Sequence, residues 1–175
     1  QEIKKVLPIM LSVVDTFKNY QFVIAAAPSM PLSFYQQLIG ATTIPIVSNN
    51  TYALLRLSTA ALVTSGTATL ETALLQVPQV VCYKGSALSV YIAKRLVKIR
   101  FISLVNLILA TEAVKELIQD DLTSKNLTIA LDAILPSGNK RITVLQQYDI
   151  LREKLGGKGA SDKVAGLMYG YLMAK

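Results

Sequence analysis

Of 175 residues, 52% are apolar and only 17% charged, which supplies a hydrophobic core and falls below the roughly 25% charge of an ordinary soluble domain. Histidine is absent, and with it the Ser-His-Asp triad and the usual zinc sites. A net charge of +7, from 18 basic and 11 acidic residues, points to anionic partners such as phosphates or acidic lipid. A 7% aromatic content without Trp argues against stacking platforms, so no nucleic acid partner is expected.

The chain opens Gln1-Glu2-Ile3, without Met and without a signal-peptide pattern, and reads as a segment of a longer protein. Residues 3–17 place Val6, Leu7, Met10, Leu11 and Val14 at helical spacing. Residues 21–26 read as a short buried strand, and Pro31 is placed to open a helix through Leu38. A strand over 43–47 is weakened by Pro45. A helix over 52–57, a buried strand over 60–63, a helix over 68–75 and, after Pro78, a strand over 79–83 follow. The longest uncharged run, 57–70, is broken by Ser58, Thr64, Ser65 and Gly66. It is too short and too polar for a spanning helix, which needs about 18 consecutive apolar residues. With a mean hydropathy of +0.44, the apolar excess belongs in a core, at an interface or against a membrane surface. The lone Cys82, in Val80-Val81-Cys82, has no disulfide partner in the chain and reads as a small buried hydrophobe in a reducing compartment.

Continuous apolar strands separated by helices indicate a parallel sheet covered on both faces, half of a doubly wound arrangement. After residue 85 the pattern predicts helices only, over 86–98, 111–119, 125–135, 139–155 and 161–175. Gly156-Gly157-Lys158-Gly159 is a flexible turn between the last two. The expected fold class is α/β: a Rossmann-like parallel sheet with helices on both faces, followed by C-terminal helices.

The stretch that carries chemistry is Val63-Thr64-Ser65-Gly66-Thr67-Ala68-Thr69-Leu70-Glu71. A buried strand hands over to a small polar loop and then to a helix. In an open parallel sheet, ligands bind where such loops meet helix N-termini, whose free N–H groups favour anions. Gly66 allows backbone to approach a phosphate, and Ser65, Thr67 and Thr69 add hydroxyls, so a diphosphate is the natural guest. Glu71, one turn beyond Thr67 on the same helix face, either accepts both hydroxyls of a ribose or serves the helix dipole as an early-turn acid.

Ser65-Gly66-Thr67-Ala68-Thr69-Leu70-Glu71, then Val77-Pro78 and Val80-Val81-Cys82-Tyr83-Lys84, resembles the lipid A disaccharide synthase family. So does Phe101-Ile102-Ser103-Leu104-Val105-Asn106-Leu107-Ile108, followed by Glu112 and Glu116-Leu117-Ile118-Gln119. Glu2-Ile3 and Leu7-Pro8 resemble the residues just after that family's Gly-Ser-Arg loop. The resemblance covers essentially the whole chain. It implies a two-domain glycosyltransferase of the GT-B type, which joins UDP-2,3-diacylglucosamine to 2,3-diacylglucosamine 1-phosphate and releases UDP, without a cofactor or metal.

On that basis residues 1–135 form a sugar-donor-binding domain lacking its N-terminal strand, and residues 136–175 a helical extension. Ser65, Gly66, Thr67 and Thr69 fall at the diphosphate, Glu71 at the ribose, and Asn106 is a further candidate for the sugar-donor site unless it caps the helix before Leu107. The Gly-Ser-Arg loop, the acceptor domain and the catalytic base fall in an absent N-terminal half. Val105 replaces a common Pro, and Ala110-Thr111 replaces an acidic–basic pair, with Thr111 expected to cap a helix whose first-turn acid is Glu112.

Lys84, Lys94, Arg95, Lys98 and Arg100 line a basic amphipathic segment whose apolar face carries Leu88, Ile92, Leu96 and Ile99. It either rests on an anionic membrane surface, steers a phosphorylated acyl substrate through Lys94, Arg95 and Lys98, or packs on the core with a solvated basic edge. The resemblance implies a peripheral position at the cytoplasmic face of the bacterial inner membrane. The long terminal helices either cross back to the absent domain or exchange with a second subunit in a homodimer. Two other readings stay open: another UDP-sugar transferase or epimerase, against which the 102–108 motif argues, and a non-catalytic basic membrane-binding module, whose binding would collapse with salt and ignore Glu71.

Overall fold

The structure, a computed structural model, describes residues 2–40, 42–64, 66–85, 100–156 and 159–173. The helix expected over 86–98 lies outside the described residues. The elements in chain order are α1 (Glu2–Leu11), β1 (Ile24–Ala26), α2 (Leu32–Ile39), β2 (Ile46–Ser48), α3 (Thr51–Leu57), β3 (Ala61–Thr64), α4 (Thr67–Leu74), β4 (Gln79–Tyr83), α5 (Leu104–Leu109), β5 (Lys115–Ile118), α6 (Ser124–Asp132), α7 (Arg141–Leu155) and α8 (Ala160–Met173). Short 3-10 turns at Val14–Thr16 and Gln119–Asp121 complete the described chain. The strands form two open parallel sheets, β1-β2 and β3-β4-β5, so the expected α/β architecture with terminal helices holds. No described helix is long and apolar enough to cross a membrane.

The first helix is shorter than its apolar spacing suggested. Ser12 donates its hydroxyl to the Ile9 carbonyl at 2.7 Å, and the β-branched pair Val13-Val14 follows, so the chain tightens into the 3-10 turn. Pro45 stands just ahead of β2 and only its carbonyl is used, accepting from Ile24 N at 2.9 Å. That is a position where a missing N–H costs nothing. Val6 and Leu7, adjacent on α1, face different apolar clusters. Val6 joins the main core, while Leu7 joins Ile24, Ala26 and Tyr35 around the small sheet. One helix therefore ties the two sheets together.

Two expectations after residue 85 are corrected. Residues 111–119 are not a helix: Lys115–Ile118 form β5, paired in parallel register with β4 from Val80↔Lys115 to Tyr83↔Ile118. Thr111 caps no helix, and Glu112 forms an exposed ion pair with Lys115 at 2.9 Å. Lys, Glu and Leu favour helix locally, but pairing with a buried strand overrides that preference. Residues 104–109 form α5, so Asn106 lies inside this helix and does not cap one that starts at Leu107. Ser103 caps it, accepting from Asn106 N at 3.3 Å.

Strand β4 is the centre of the molecule. Gln79, Val80, Val81 and Cys82 are fully buried, and side chains alternate between the two faces. Gln79 reaches α4 and α7, donating from Nε2 to the Thr69 carbonyl at 2.8 Å and to the Tyr148 hydroxyl at 3.2 Å. Val80 points to the opposite face, where α1 and α6 lie against β4. Helix α7 adds Val144, Tyr148 and Leu151 to the main core. It also caps its neighbours: Arg152 donates to the Leu74 carbonyl at the end of α4, and Lys154 to the Ile108 carbonyl near the end of α5, each at 3.4 Å. Cations at helix C-termini complement the helix dipole.

Burial pushes the Cys82 thiol up to about 12, so thiolate is scarce at neutral pH, and a thiol reagent is expected to label Cys82 only as fast as the protein unfolds. Burial also raises the Tyr148 phenol well above its ordinary range. Tyr148→Phe removes one buried partner of Gln79 and is expected to cost about 1–3 kcal/mol, measured as a lower urea midpoint at unchanged slope.

Candidate functional site

Strand β3 ends at Thr64 and α4 begins at Thr67, with Gly66 between them at φ 131° and ψ −163°. Only glycine adopts that backbone comfortably, because a side chain there meets its own main chain. Among the described residues, its chain neighbours aside, no atom lies within 4 Å of where a Cβ would stand, so the requirement for glycine is conformational. Gly66 and Thr67 are exposed, at the carboxyl edge of the β3-β4-β5 sheet. Thr64 is in register with Cys82, so the next residues of β4 run alongside this loop. Lys5, in the first half of α1, donates to the Gly85 carbonyl just past β4 at 3.3 Å. The start of α1 therefore borders the same edge.

The three hydroxyls expected at a diphosphate part company here. Ser65 lies outside the described residues. Thr67 is exposed on the first turn of α4. Thr69 is fully buried, its hydroxyl donating to the Gly66 carbonyl at 2.8 Å while its N–H donates to the same oxygen at 3.2 Å. Thr69 thus fastens the loop from beneath, and Gly66 and Thr67 form its outer surface. Glu71 follows one turn after Thr67 on the same face, half-buried. Among the described residues its carboxylate has neither an ion-pair nor a hydrogen-bond partner.

Asn106 is next door on α5, which packs against α4, but its side chain turns away from the open edge. It is fully buried and clasps the entry to β5. Its Nδ2 donates to the Val114 carbonyl and to Glu116 Oε1, each at 2.8 Å, while its Oδ1 accepts from Val114 N at 2.9 Å. The structure therefore gathers Gly66, Thr67 and Glu71 at one exposed place, sets Thr69 below them and directs Asn106 inward. Lys94, Arg95 and Lys98 lie outside the described residues.

Glu116 is the residue whose part the spacing did not disclose. Its carboxylate accepts from Ile102 N at 2.9 Å, Ser103 N at 3.0 Å, Ser103 Oγ at 2.7 Å and Asn106 Nδ2 at 2.8 Å. The signal was present as a Ser and an Asn at 103 and 106 with a Glu ten residues on. It became legible only once β5 was a strand. Beyond it, Gln119 adopts φ 55°, an unfavourable value for a residue with a side chain, and among the described residues its Nε2 is buried without a partner.

A family model described as lipid-A-disaccharide synthetase matches residues 1–164. The chain belongs to the lipid-A-disaccharide synthetase family. A relative from Syntrophus aciditrophicus (strain SB), named lipid-A-disaccharide synthase, is 33% identical, the alignment covering 94% of this chain and 45% of that protein. One of the same name from Sulfurihydrogenibium sp. (strain YO3AOP1) is 31% identical, with 95% and 47% covered. Another, from Coxiella burnetii (strain Dugway 5J108-111), is 29% identical, with 99% and 47% covered. The chain spans about half the length of the curated relatives it matches. The described parts of both stretches on which the resemblance rested occupy defined places: 66–71 forms the turn into α4 and the opening of that helix, and 101–108 leads into and through α5.

The Gly66 backbone supplies a direct test. Gly66→Ala must move φ out of its present region or carry the strain, and is expected to lose about 1–3 kcal/mol of stability. Chemical denaturation measures this. Gly40→Ala, also at positive φ (60°), serves as a comparison outside the α4 turn.

Proposed function

We propose that this chain is the sugar-donor-binding half of a glycosyltransferase that joins UDP-2,3-diacylglucosamine to 2,3-diacylglucosamine 1-phosphate, giving a lipid A disaccharide and UDP. The observation that carries the reading is the turn at Gly66, opening α4 at the carboxyl edge of a parallel sheet with Glu71 one turn in, in a chain that belongs to the lipid-A-disaccharide synthetase family. Free N–H groups at the start of α4 and the Thr67 hydroxyl meet the diphosphate. The Glu71 carboxylate accepts from the ribose hydroxyls as two charge-assisted hydrogen bonds.

In this reading Ser65 completes the phosphate loop, and Thr69 and Asn106 belong to the site as the groups that hold its walls. Residues 1–135 carry the sugar-donor site, with residues 136–175 as a helical extension. The acceptor and the catalytic base belong to the other half of the enzyme. The net charge of +7 suits a peripheral place on the anionic cytoplasmic face of the inner membrane, with Lys94, Arg95 and Lys98 toward lipid or acceptor phosphate.

Calorimetric titration of UDP tests the reading. Saturable binding is expected, weakened roughly 10- to 100-fold by Glu71→Ala, the loss of one or two charge-assisted hydrogen bonds. A folded chain that takes up no UDP, or a Glu71→Ala variant that binds as the parent does, overturns it.

A further inference from the structure

We propose that Glu116 is a positioning residue for the sugar-donor pocket, fixing the start of α5 beside the Gly66–Thr67 turn; this rests on the donor-binding reading above. Val63, Val81 and Glu116 form one row across the three strands, and in-register side chains share a face of the sheet. That row lies one residue before Thr64 passes into the turn. It faces the side on which α4 and α5 pack together. The Glu116 carboxylate therefore sits between the sheet and the first residues of α5, with β4 between its strand and β3, the strand that leads into the Gly66–Thr67 turn.

Four fixed groups converge on it: two consecutive backbone N–H groups, one hydroxyl and one amide. Among the described residues no cation pairs with it. Its charge is met by the N–H groups of Ile102 and Ser103 at the head of α5 and by the side chains beside them. A carboxylate presents only acceptors, so all four contacts are compatible at once. Glutamine of the same shape offers one oxygen and one NH2 group, and the NH2 group would face a donor. The two residues it holds, Ser103 and Asn106, in turn fix the cap of α5 and the entry to β5. Release of this clasp lets the 100–103 chain and α5 shift against α4, which moves the wall next to Thr67 without touching any group that contacts the nucleotide.

The test uses UDP as the probe on the parent, Glu116→Gln, Ser103→Ala and a core control, Val144→Ala, which destabilises α7 away from the carboxyl edge. Each is measured at a temperature where circular dichroism shows it folded. Glu116→Gln is expected to weaken UDP about tenfold, through misplacement of the wall when one charge-assisted bond is replaced by a donor–donor contact. Val144→Ala is expected to bind as the parent despite its lower melting temperature. Should Glu116→Gln not fold, Ser103→Ala carries the test, with a smaller loss in the same direction. Parent-like affinity in the Glu116→Gln or, failing that, the Ser103→Ala protein overturns the inference, as does equal weakening by Val144→Ala, which would reduce Glu116 to general stability. If UDP binds the parent and Glu71→Ala weakens it while Glu116→Gln does not, the positioning role alone falls. If the parent binds no UDP, both fall together.

Discussion

Strand β4 is covered on both faces, and this constraint organises everything near it. A polar group placed there has no water to turn to, and leaving it unpaired costs more than a hydrogen bond ordinarily gains. Gln79 meets that demand with its amide nitrogen, which reaches the backbone of α4 and the phenol of α7, while among the described residues its Oε1 is buried without a partner. On the flanking strand the half-buried Glu116 collects the head of α5. The helices on this face are thus located by buried polar contacts with few alternative partners, whereas apolar packing alone would tolerate a slide. α1 and α6 on the other face are held mainly by apolar contact, through Val6, Leu127, Ala130 and Leu131.

The same logic separates the exposed from the hidden members of the candidate site. Thr67 and Thr69 are chemically identical and two residues apart, yet on a helix they point in different directions. Thr69 falls on the buried side, where its hydroxyl closes the turn at Gly66, and Thr67 falls outside. The turn at Gly66 is therefore held from below, while Gly66 and Thr67 stay exposed above it.

Much of the fold could be read from the residues. Strand β4 stands where Pro78 and a run of apolar residues placed it, and Gly66 marked the turn into α4. What could not be read depended on partners distant along the chain. Lys115, Glu116 and Leu117 are good helix formers, and pairing with the neighbouring β4 makes the segment a strand. Helix α5 has six residues and a serine cap, too little periodicity to stand out. Asn106 carried the right chemistry for a ligand, but its orientation depends on Val114 and Glu116, eight and ten residues later. Its inward turn became visible only with β5 in place.

The contacts of α7 have a consequence for motion. Arg152 and Lys154 grip the C-terminal ends of α4 and α5, while Tyr148 grips Gln79 at the foot of β4. The opposite ends of those two short helices form the carboxyl edge. Helices of eight and six residues are too short to be stable alone, so both lean on α7 at their C-terminal ends. Their starts have anchors of their own, Thr69 beneath the Gly66 turn and Glu116 at Ser103. Loosening at one end of either helix can therefore leave its other end in place.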